Sequence, residues 1–260
     1  MKWGLKMEEK IENLVDYVKY IQELDKEYVL SRGQGQDKVL LPSVFRLDDR
    51  NMRLYSNTTA KEFIEEFKNN SVLYLDNHTR NIDNEFEWII LAQHFGVPTC
   101  LLDFTYSHMV SLMFALEKAF DYSDNDDGSS VVWFLNPQKL NLESINRNVI
   151  LNLSEETKVL ETAKYPCVVT AIKNNSRVVA QDGVFVYFPQ ESCELEGIDF
   201  HDEFLKKVII PHKYAKGILA SLYTMGMRFK DIYPELTSVS KDILLKHNVM
   251  EYYRMEAENE

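Results

Sequence analysis

Residues 85–120 read EFEWIILAQHFGVPTCLLDFTYSHMVSLMFALEKAF. Glu85 to Phe95 predicts a helix that stops at Gly96 and Pro98, because these two residue types commonly follow a helix end. A second helix is predicted from a Ser107 cap to about Phe120. It is apolar on almost all sides, so we expect it to be buried at the centre of the fold.

The sequence before this block predicts two helices and a strand. Residues 8–24 carry apolar side chains at helical spacing with Glu and Lys between them, which predicts an amphipathic helix with one buried face. Tyr28 to Leu30 predicts a short strand that runs into Arg32-Gly33. Residues 59–69 predict a helix, with Thr59 and Glu62 as its capping box.

The sequence after the block predicts a sheet followed by helices. Four short runs are rich in β-branched and aromatic residues, namely 131–135, 167–172, 184–188 and 208–210. An acidic loop at 121–130 precedes them, and helices are predicted at 212–225 and 235–247. Because helices dominate the first half and strands the second, we predict an α+β fold. Its mixed or antiparallel sheet is covered by N-terminal and C-terminal helices.

The composition narrows the functional class. The chain has 260 residues, 45% of them hydrophobic, and a net charge of −12. Its Lys and Arg residues are scattered, which disfavours binding to duplex DNA or an anionic membrane. Three widely spaced cysteines indicate reduced thiols rather than a disulfide framework. No apolar run approaches the ~18 residues of a spanning helix, and the first residues lack a signal-peptide pattern, so we expect a cytoplasmic protein.

Polar residues next to apolar runs mark the candidate functional segments, which are residues 31–36, 91–99, 101–107 and 177–185. Arg32 could form a structural ion pair with Asp103, or its five donors could bind a carboxylate or phosphate. His94 could be a core or capping residue, or a general acid–base group. Gln93 and Gln181 need partners if they are buried, and a ligand is one possibility.

Other kinds of site find little support. The six His and three Cys residues show no metal-ligand spacing, so we expect no metal. The chain also contains neither a Gly-Lys-Ser/Thr phosphate loop nor a Gly-x-Gly-x-x-Gly motif after a strand.

The candidate segments together resemble the FRG-domain family. The resemblance is carried by Arg32-Gly33-Gln34, LPSVFR at 41–46, residues 92–115, Arg177 with QDGVF at 181–185, and Gly226 with IYPEL at 232–236. The chain departs from the family pattern at Cys100, His108 and Tyr233, where the family often has Arg, Pro and Phe. The resemblance implies an N-terminal helix in 1–27, an FRG domain in 28–236, and a C-terminal helix and tail in 237–260.

The motif layout is also similar, more distantly, to ADP-ribosyltransferases, which implies a related fold and NAD as the bound cofactor. In this comparison Arg32 binds a phosphate of NAD, and Thr105 and Ser107 contact its nicotinamide ribose. Gln181 stands where those enzymes have an acidic residue or Gln. Since a neutral amide stabilises a developing positive charge less well than a carboxylate does, Asp103 or Asp182 would supply the charge.

The resemblance implies two overlapping sets of site residues. The implied catalytic residues are Arg32, Asp103, Thr105 and Gln181. The implied NAD contacts are Arg32, Gly33, Gln34, Arg46, Gln93, His94, Thr105, Ser107 and Phe114.

Three functional hypotheses follow. The first is an NAD-consuming transferase or glycohydrolase that modifies an unidentified target in a phage–host conflict or a toxin or defence system. The second is a non-catalytic module that binds a nucleotide-like small molecule, a nucleic-acid end or a partner. In the third, the motifs only hold helices on the sheet.

Overall fold

The computed structural model describes residues 9–75, 82, 84–123, 125–153, 157–170, 176–189 and 193–259. Within these residues eight strands form one mixed sheet. The strands are β1 (Glu9–Lys10), β2 (Leu30–Gln34), β3 (Leu101–Thr105), β4 (Ser129–Leu135), β5 (Leu151–Asn152), β6 (Cys167–Thr170), β7 (Gly183–Tyr187) and β8 (Leu205–Pro211).

The helices of the described residues surround this sheet. They are α1 (Leu14–Glu23), α2 (Asn57–Ser71), α3 (Glu85–His94), α4 (His108–Leu116), α5 (Pro137–Ile145), α6 (Thr157–Glu161), α7 (Ser176–Ala180), α8 (His212–Thr224), α9 (Phe229–Ile232) and α10 (Leu236–Asn259). None of them is both long enough and apolar enough to span a membrane.

The strand order is β1-β8-β4-β2-β3-β7-β6-β5. The outermost pairs, β1–β8 and β5–β6, are parallel, and all other neighbours are antiparallel. This mixed sheet confirms the predicted α+β class. The predicted cover of N-terminal and C-terminal helices is confirmed too, because α1, α8 and α10 bury apolar side chains in the same core as Val132 and Phe134 of β4.

The two central strands pair only briefly. β2 and β3 are joined by the single residue pair Ser31↔Thr105. By contrast, β2 forms five residue pairs with β4, and β3 forms five with β7. The sheet therefore consists of a β8-β4-β2 half and a β3-β7-β6 half, and β2 and β3 diverge beyond their one pairing.

Each half has its own helix cover. Helix α4 packs on β2, and its apolar residues join those of α1 and α8 in one core. Ile90 of α3 and Leu160 of α6 pack with Leu101, Val169 and Phe185 of the other half. Leu140 of α5 belongs to a third cluster, which covers the opposite face of the sheet.

Several sequence predictions require correction. The first helix begins at Leu14 rather than residue 8, because Asn13 is its cap and Glu9–Lys10 pairs with β8. Ser56, not Thr59, caps α2. Helix α4 ends at Leu116 and a separate 3₁₀ turn follows at Ala119–Asp121, so the helix does not continue to Phe120.

The sequence prediction omitted several elements. The most important is β3, which lies in the centre of the sheet, and helix α5 was omitted as well. The proposed division into helices first and strands second is wrong to this extent, since β2 and β3 lie early in the chain. The predicted strand at 167–172 ends at Thr170, and its last two residues lie outside the described part.

Candidate functional site

A cavity of about 290 Å³ opens where β2 and β3 diverge. Strands β2, β3 and β7 contribute to its wall together with helices α3, α4 and α7. The predicted residues that line it are Arg32, Gly33, Gln93, His94, Asp103, Thr105, Phe114 and Gln181. The structure therefore brings residues of all four candidate segments to one place, although segments 31–36 and 177–185 are far apart in sequence.

Arg32 projects from β2, and its side chain is only 18% exposed. Its Nη1 donates a hydrogen bond of 2.8 Å to the main-chain oxygen of Asp103 on β3, so the guanidinium connects the diverging strands. The same nitrogen lies 3.9 Å from the Asp103 carboxylate, at the outer limit of an ion pair. Burial lowers the pKa of Arg32, while Asp103 opposes this shift. Its buried Nε has no hydrogen-bond partner among the described residues.

Gly33 allows β2 to approach α4 closely. A Cβ added to Gly33 would lie 1.8 Å from the carbonyl oxygen of Ser111 and 2.7 Å from the amide nitrogen of Ala115, both main-chain atoms of α4. Such distances are impossible between non-bonded atoms, so only glycine fits here. The Arg-Gly pair thus combines a cavity residue with one that sets the strand–helix distance.

Asp103 is held in place by a chain of side chains. Gln93 Nε2 of α3 donates to Asp103 Oδ1 at 2.7 Å, and Gln93 Oε1 accepts a hydrogen bond from the Thr99 hydroxyl. The Asp103 side chain remains 60% exposed, so its carboxylate is oriented and still accessible. The carboxylate can therefore lie near Arg32 and still be open to a ligand.

Gln181 lies at the turn between α7 and β7. Its main-chain oxygen accepts a 2.6 Å hydrogen bond from the Thr105 hydroxyl. Thr105 Oγ1 also accepts from the amide of Ser107 at 2.9 Å, and Ser107 caps α4. Thr105 and Ser107 therefore support the wall with hydroxyls that already have protein partners. The Gln181 Nε2, in contrast, is buried without a hydrogen-bond partner in the described residues.

His94 and Phe114 lie on the cavity wall. Burial lowers the pKa of His94, and the positive charge of Arg177 lowers it further, whereas Glu235 opposes the shift. The neutral imidazole is thereby favoured near pH 7. Phe114 packs edge-on against Tyr233, with ring centroids 5.6 Å apart.

Three of the predicted site residues do not line the cavity. The Gln34 side chain accepts a 3.1 Å hydrogen bond from the Trp133 indole. Arg46 is exposed, and Ser107 serves as the α4 cap. The structure thus gives Gln34 and Ser107 structural contacts and places Arg46 outside the wall.

The predicted set of site residues omitted Glu117, Arg177 and Tyr233, which also line the wall. The Tyr233 hydroxyl donates to Glu117 at 3.2 Å, and Lys241 of α10 donates to the other Glu117 oxygen. Burial raises the pKa of Tyr233, which keeps the phenol protonated as a donor. Arg177 and Tyr233 lay within the motif segments, so that signal could have identified them. Glu117 had no such signal.

No group of three or more His, Cys, Asp or Glu side chains in the described part of the chain is placed to hold a metal ion. The site is instead a polar cavity with two buried donors and two carboxylates.

Fold and site together define an α+β protein with a polar cavity at the junction of two sheet halves. Residues 27–124 match the family model of the FRG domain, as the motifs in this part of the chain predicted. Searches of the curated proteins and of the solved structures gave no significant match. The matched region supplies Arg32, Gln93 and Asp103, whereas Arg177 and Gln181 come from the sequence that follows.

Proposed function

We propose that the cavity binds a nucleotide-like ligand, with NAD as the first candidate, and holds one of its phosphates at Arg32. The observation that carries this proposal is that Arg32 and Gln181, whose side chains each hold a buried donor without a partner in the described residues, line one cavity. Leaving a buried donor unsatisfied costs about 1–3 kcal/mol. A ligand rich in acceptor oxygens would remove that cost, and phosphate is the acceptor that a guanidinium recognises best.

The size and the charges of the cavity fit this class of ligand. Its volume of about 290 Å³ is close to the ~300 Å³ lower limit of small-molecule sites, which suits a portion of a dinucleotide. Arg32 and Gln181 would bind the phosphate and an adjacent acceptor. Phe114 offers an aromatic surface on the same wall.

The reaction that we propose is ADP-ribosyl transfer or NAD hydrolysis. NAD supplies a nicotinamide–ribose bond whose cleavage places positive charge on the ribose. Asp103 is the residue for stabilising that charge, because its carboxylate is exposed to the cavity and held by Gln93. Gln93 is then a positioning residue. Thr105 and Ser107 shape the site instead of contacting the ribose, since their hydroxyls already have protein partners.

Binding and nicotinamide release, measured on the same preparations, test this proposal. We expect Arg32→Gln to weaken NAD binding by about tenfold or more, because a charge-assisted hydrogen bond is lost. Asp103→Asn retains the main-chain oxygen that Arg32 contacts, so it should bind NAD but release nicotinamide about 100-fold more slowly. Arg50→Gln is the matched control, since it removes an exposed guanidinium that lies outside the cavity wall.

Thermal unfolding should show that each variant is folded before its activity is compared. If folded wild-type protein neither binds nor consumes NAD, the NAD proposal is wrong.

A non-catalytic binding module is the second candidate. It is favoured by the neutral side chain of Gln181 and by the protein partners of the Thr105 hydroxyl, which leave Asp103 as the group for charge stabilisation. In this case a nucleotide would raise the melting temperature, and that rise would be lost in Arg32→Gln. Mass spectrometry would then detect no product after prolonged incubation with the bound nucleotide.

A further inference from the structure

Arg177 places a second guanidinium on the cavity wall. Its Cζ lies 4.6 Å from the centroid of the Tyr233 ring, a cation–π contact. In the part of the chain that the structure describes, the Arg177 side chain makes no hydrogen bond and no ion pair. Because an aromatic ring contacts the guanidinium without accepting its N–H groups, all five donors of Arg177 stay available.

The two carboxylates of the cavity have partners other than Arg177. Glu117 accepts hydrogen bonds from Tyr233 and Lys241. Asp103 accepts from Gln93 and lies at ion-pair distance from Arg32. Neither carboxylate pairs with Arg177, so the donors of this guanidinium remain available to a ligand.

Arg177 lies in α7, and Gln181 directly follows the last residue of that helix. They are four residues apart, and the Gln181 amide donates to the Arg177 carbonyl at 3.0 Å. Residues four apart on a helix project to the same side, so the guanidinium and the unpartnered carboxamide reach the cavity together. Arg32 reaches the same cavity from β2.

We infer that Arg177 and Arg32 form two anion-binding positions in one cavity, and that the ligand carries two linked phosphates, as in a nucleoside diphosphate. This inference rests on the proposed function, because it assigns the class of ligand that the same site binds. Two guanidinium groups can each bind the oxygens of one phosphate in a bidentate manner. A single phosphate would leave one of the two unpaired.

Titration calorimetry with inorganic phosphate and with inorganic pyrophosphate, on the full chain, tests the inference. We expect pyrophosphate to bind the wild-type protein at least about tenfold more tightly than phosphate, because it gains the charge-assisted contacts of the second arginine. Arg177→Gln should remove most of this preference and leave phosphate binding within about threefold, while Arg32→Gln should weaken both ligands.

Two further variants complete the design. Arg177→Lys keeps the charge and should retain part of the preference, which keeps the test informative if Arg177→Gln unfolds. Arg50→Gln changes an exposed arginine that lies outside the wall and pairs with Asp48, so it should behave as the wild type does. The inference is overturned if the wild type does not prefer pyrophosphate, or if Arg177→Gln changes both ligands equally or neither.

The same probes separate this inference from the proposed function. If pyrophosphate binds in an Arg177-dependent manner while NAD and other nucleotides do not bind, the two anion positions stand and the nucleotide function fails. If NAD binds equally well to the wild type and to Arg177→Gln, the nucleotide function stands and the second anion position fails.

Discussion

Gly33 shows how a single residue without a side chain positions the candidate site. Any side chain there would overlap main-chain atoms of α4, which cannot rotate away as a flexible side chain would. We expect Gly33→Ala to destabilise the fold by about 3 kcal/mol or more, at or beyond the upper end of the usual overpacking cost. Urea unfolding of the purified variant measures this change.

A second glycine of the cavity wall provides the matched control. A Cβ on Gly183 would lie 3.5 Å from Val178, an ordinary van der Waals distance. We therefore expect Gly183→Ala to change stability by less than about 1 kcal/mol. If the two variants lost equal stability, the close approach of β2 to α4 would not be the reason that position 33 requires glycine.

At the scale of elements, the loop before β4 contacts the start of α8 through a side-chain pair. The Asp126 carboxylate lies 2.9 Å from His212 Nδ1 and also accepts a hydrogen bond from the Gly128 amide. The other ring nitrogen of His212 lies 3.2 Å from the carbonyl oxygen of Gly35, just past the end of β2. The loop, α8 and the strand that carries Arg32 are thus connected through one imidazole ring.

This connection predicts that the stability of the fold depends on pH in the acidic range. The hydrogen bond from His212 holds the pKa of Asp126 below its ordinary value, and the Gly128 amide adds to the effect. A carboxyl group whose pKa is lowered on folding stabilises the fold above its unfolded pKa, and the stabilisation is lost as pH falls through the folded pKa. We expect Asp126→Asn to be less stable than the wild type at pH 7, with a difference that shrinks below about pH 4.

Denaturant unfolding from pH 7 to pH 3 measures this difference. Asp127→Asn changes the neighbouring acidic residue and serves as the control. A gap between wild type and Asp126→Asn that stays constant over the whole range would contradict the assigned role of the carboxylate.

Local signals made some elements predictable and left others hidden. Helices α3 and α4 were found because Gly96 ends one and Ser107 caps the other. Strand β3 was missed because LLDFT is a short apolar run interrupted by Asp103, and it resembles a connection between two helices. Its role as a central strand depends on pairing with β7, about 80 residues later, which no local pattern reveals.

The site residues also differ in how well the sequence predicts them. Arg32, Gln93, Asp103 and Gln181 could be named in advance because each lies close to an apolar run and within a motif of the FRG resemblance. Glu117 could not, since its place on the wall depends on Tyr233 and Lys241, which follow it by 116 and 124 residues. Arg46 was included from the motif alone, and only the folded chain places it outside the wall.

At the scale of the whole molecule, the cavity lies where the sheet is least continuous. One residue pair and the Arg32–Asp103 hydrogen bond connect the two central strands directly. Each half is closed by elements far away in sequence, β4 and β8 on one side and β7 and β6 on the other. Arg177, Gln181 and Tyr233, which complete the wall, also come from these later regions. The family-matched segment therefore holds only part of the site.

This arrangement predicts that residues 27–124 do not fold in isolation, although they match the FRG family model. The fragment keeps β2 and β3 with their single pairing but loses β4 and β7, with which each of them forms five residue pairs. A two-stranded unit is at best marginally stable, and here the apolar faces of α3 and α4 would also lose partners. We expect no cooperative urea transition for the fragment and a single one for the full chain, followed by circular dichroism. A cooperative transition in the fragment would mean that the two halves of the sheet are not needed to hold β2 and β3.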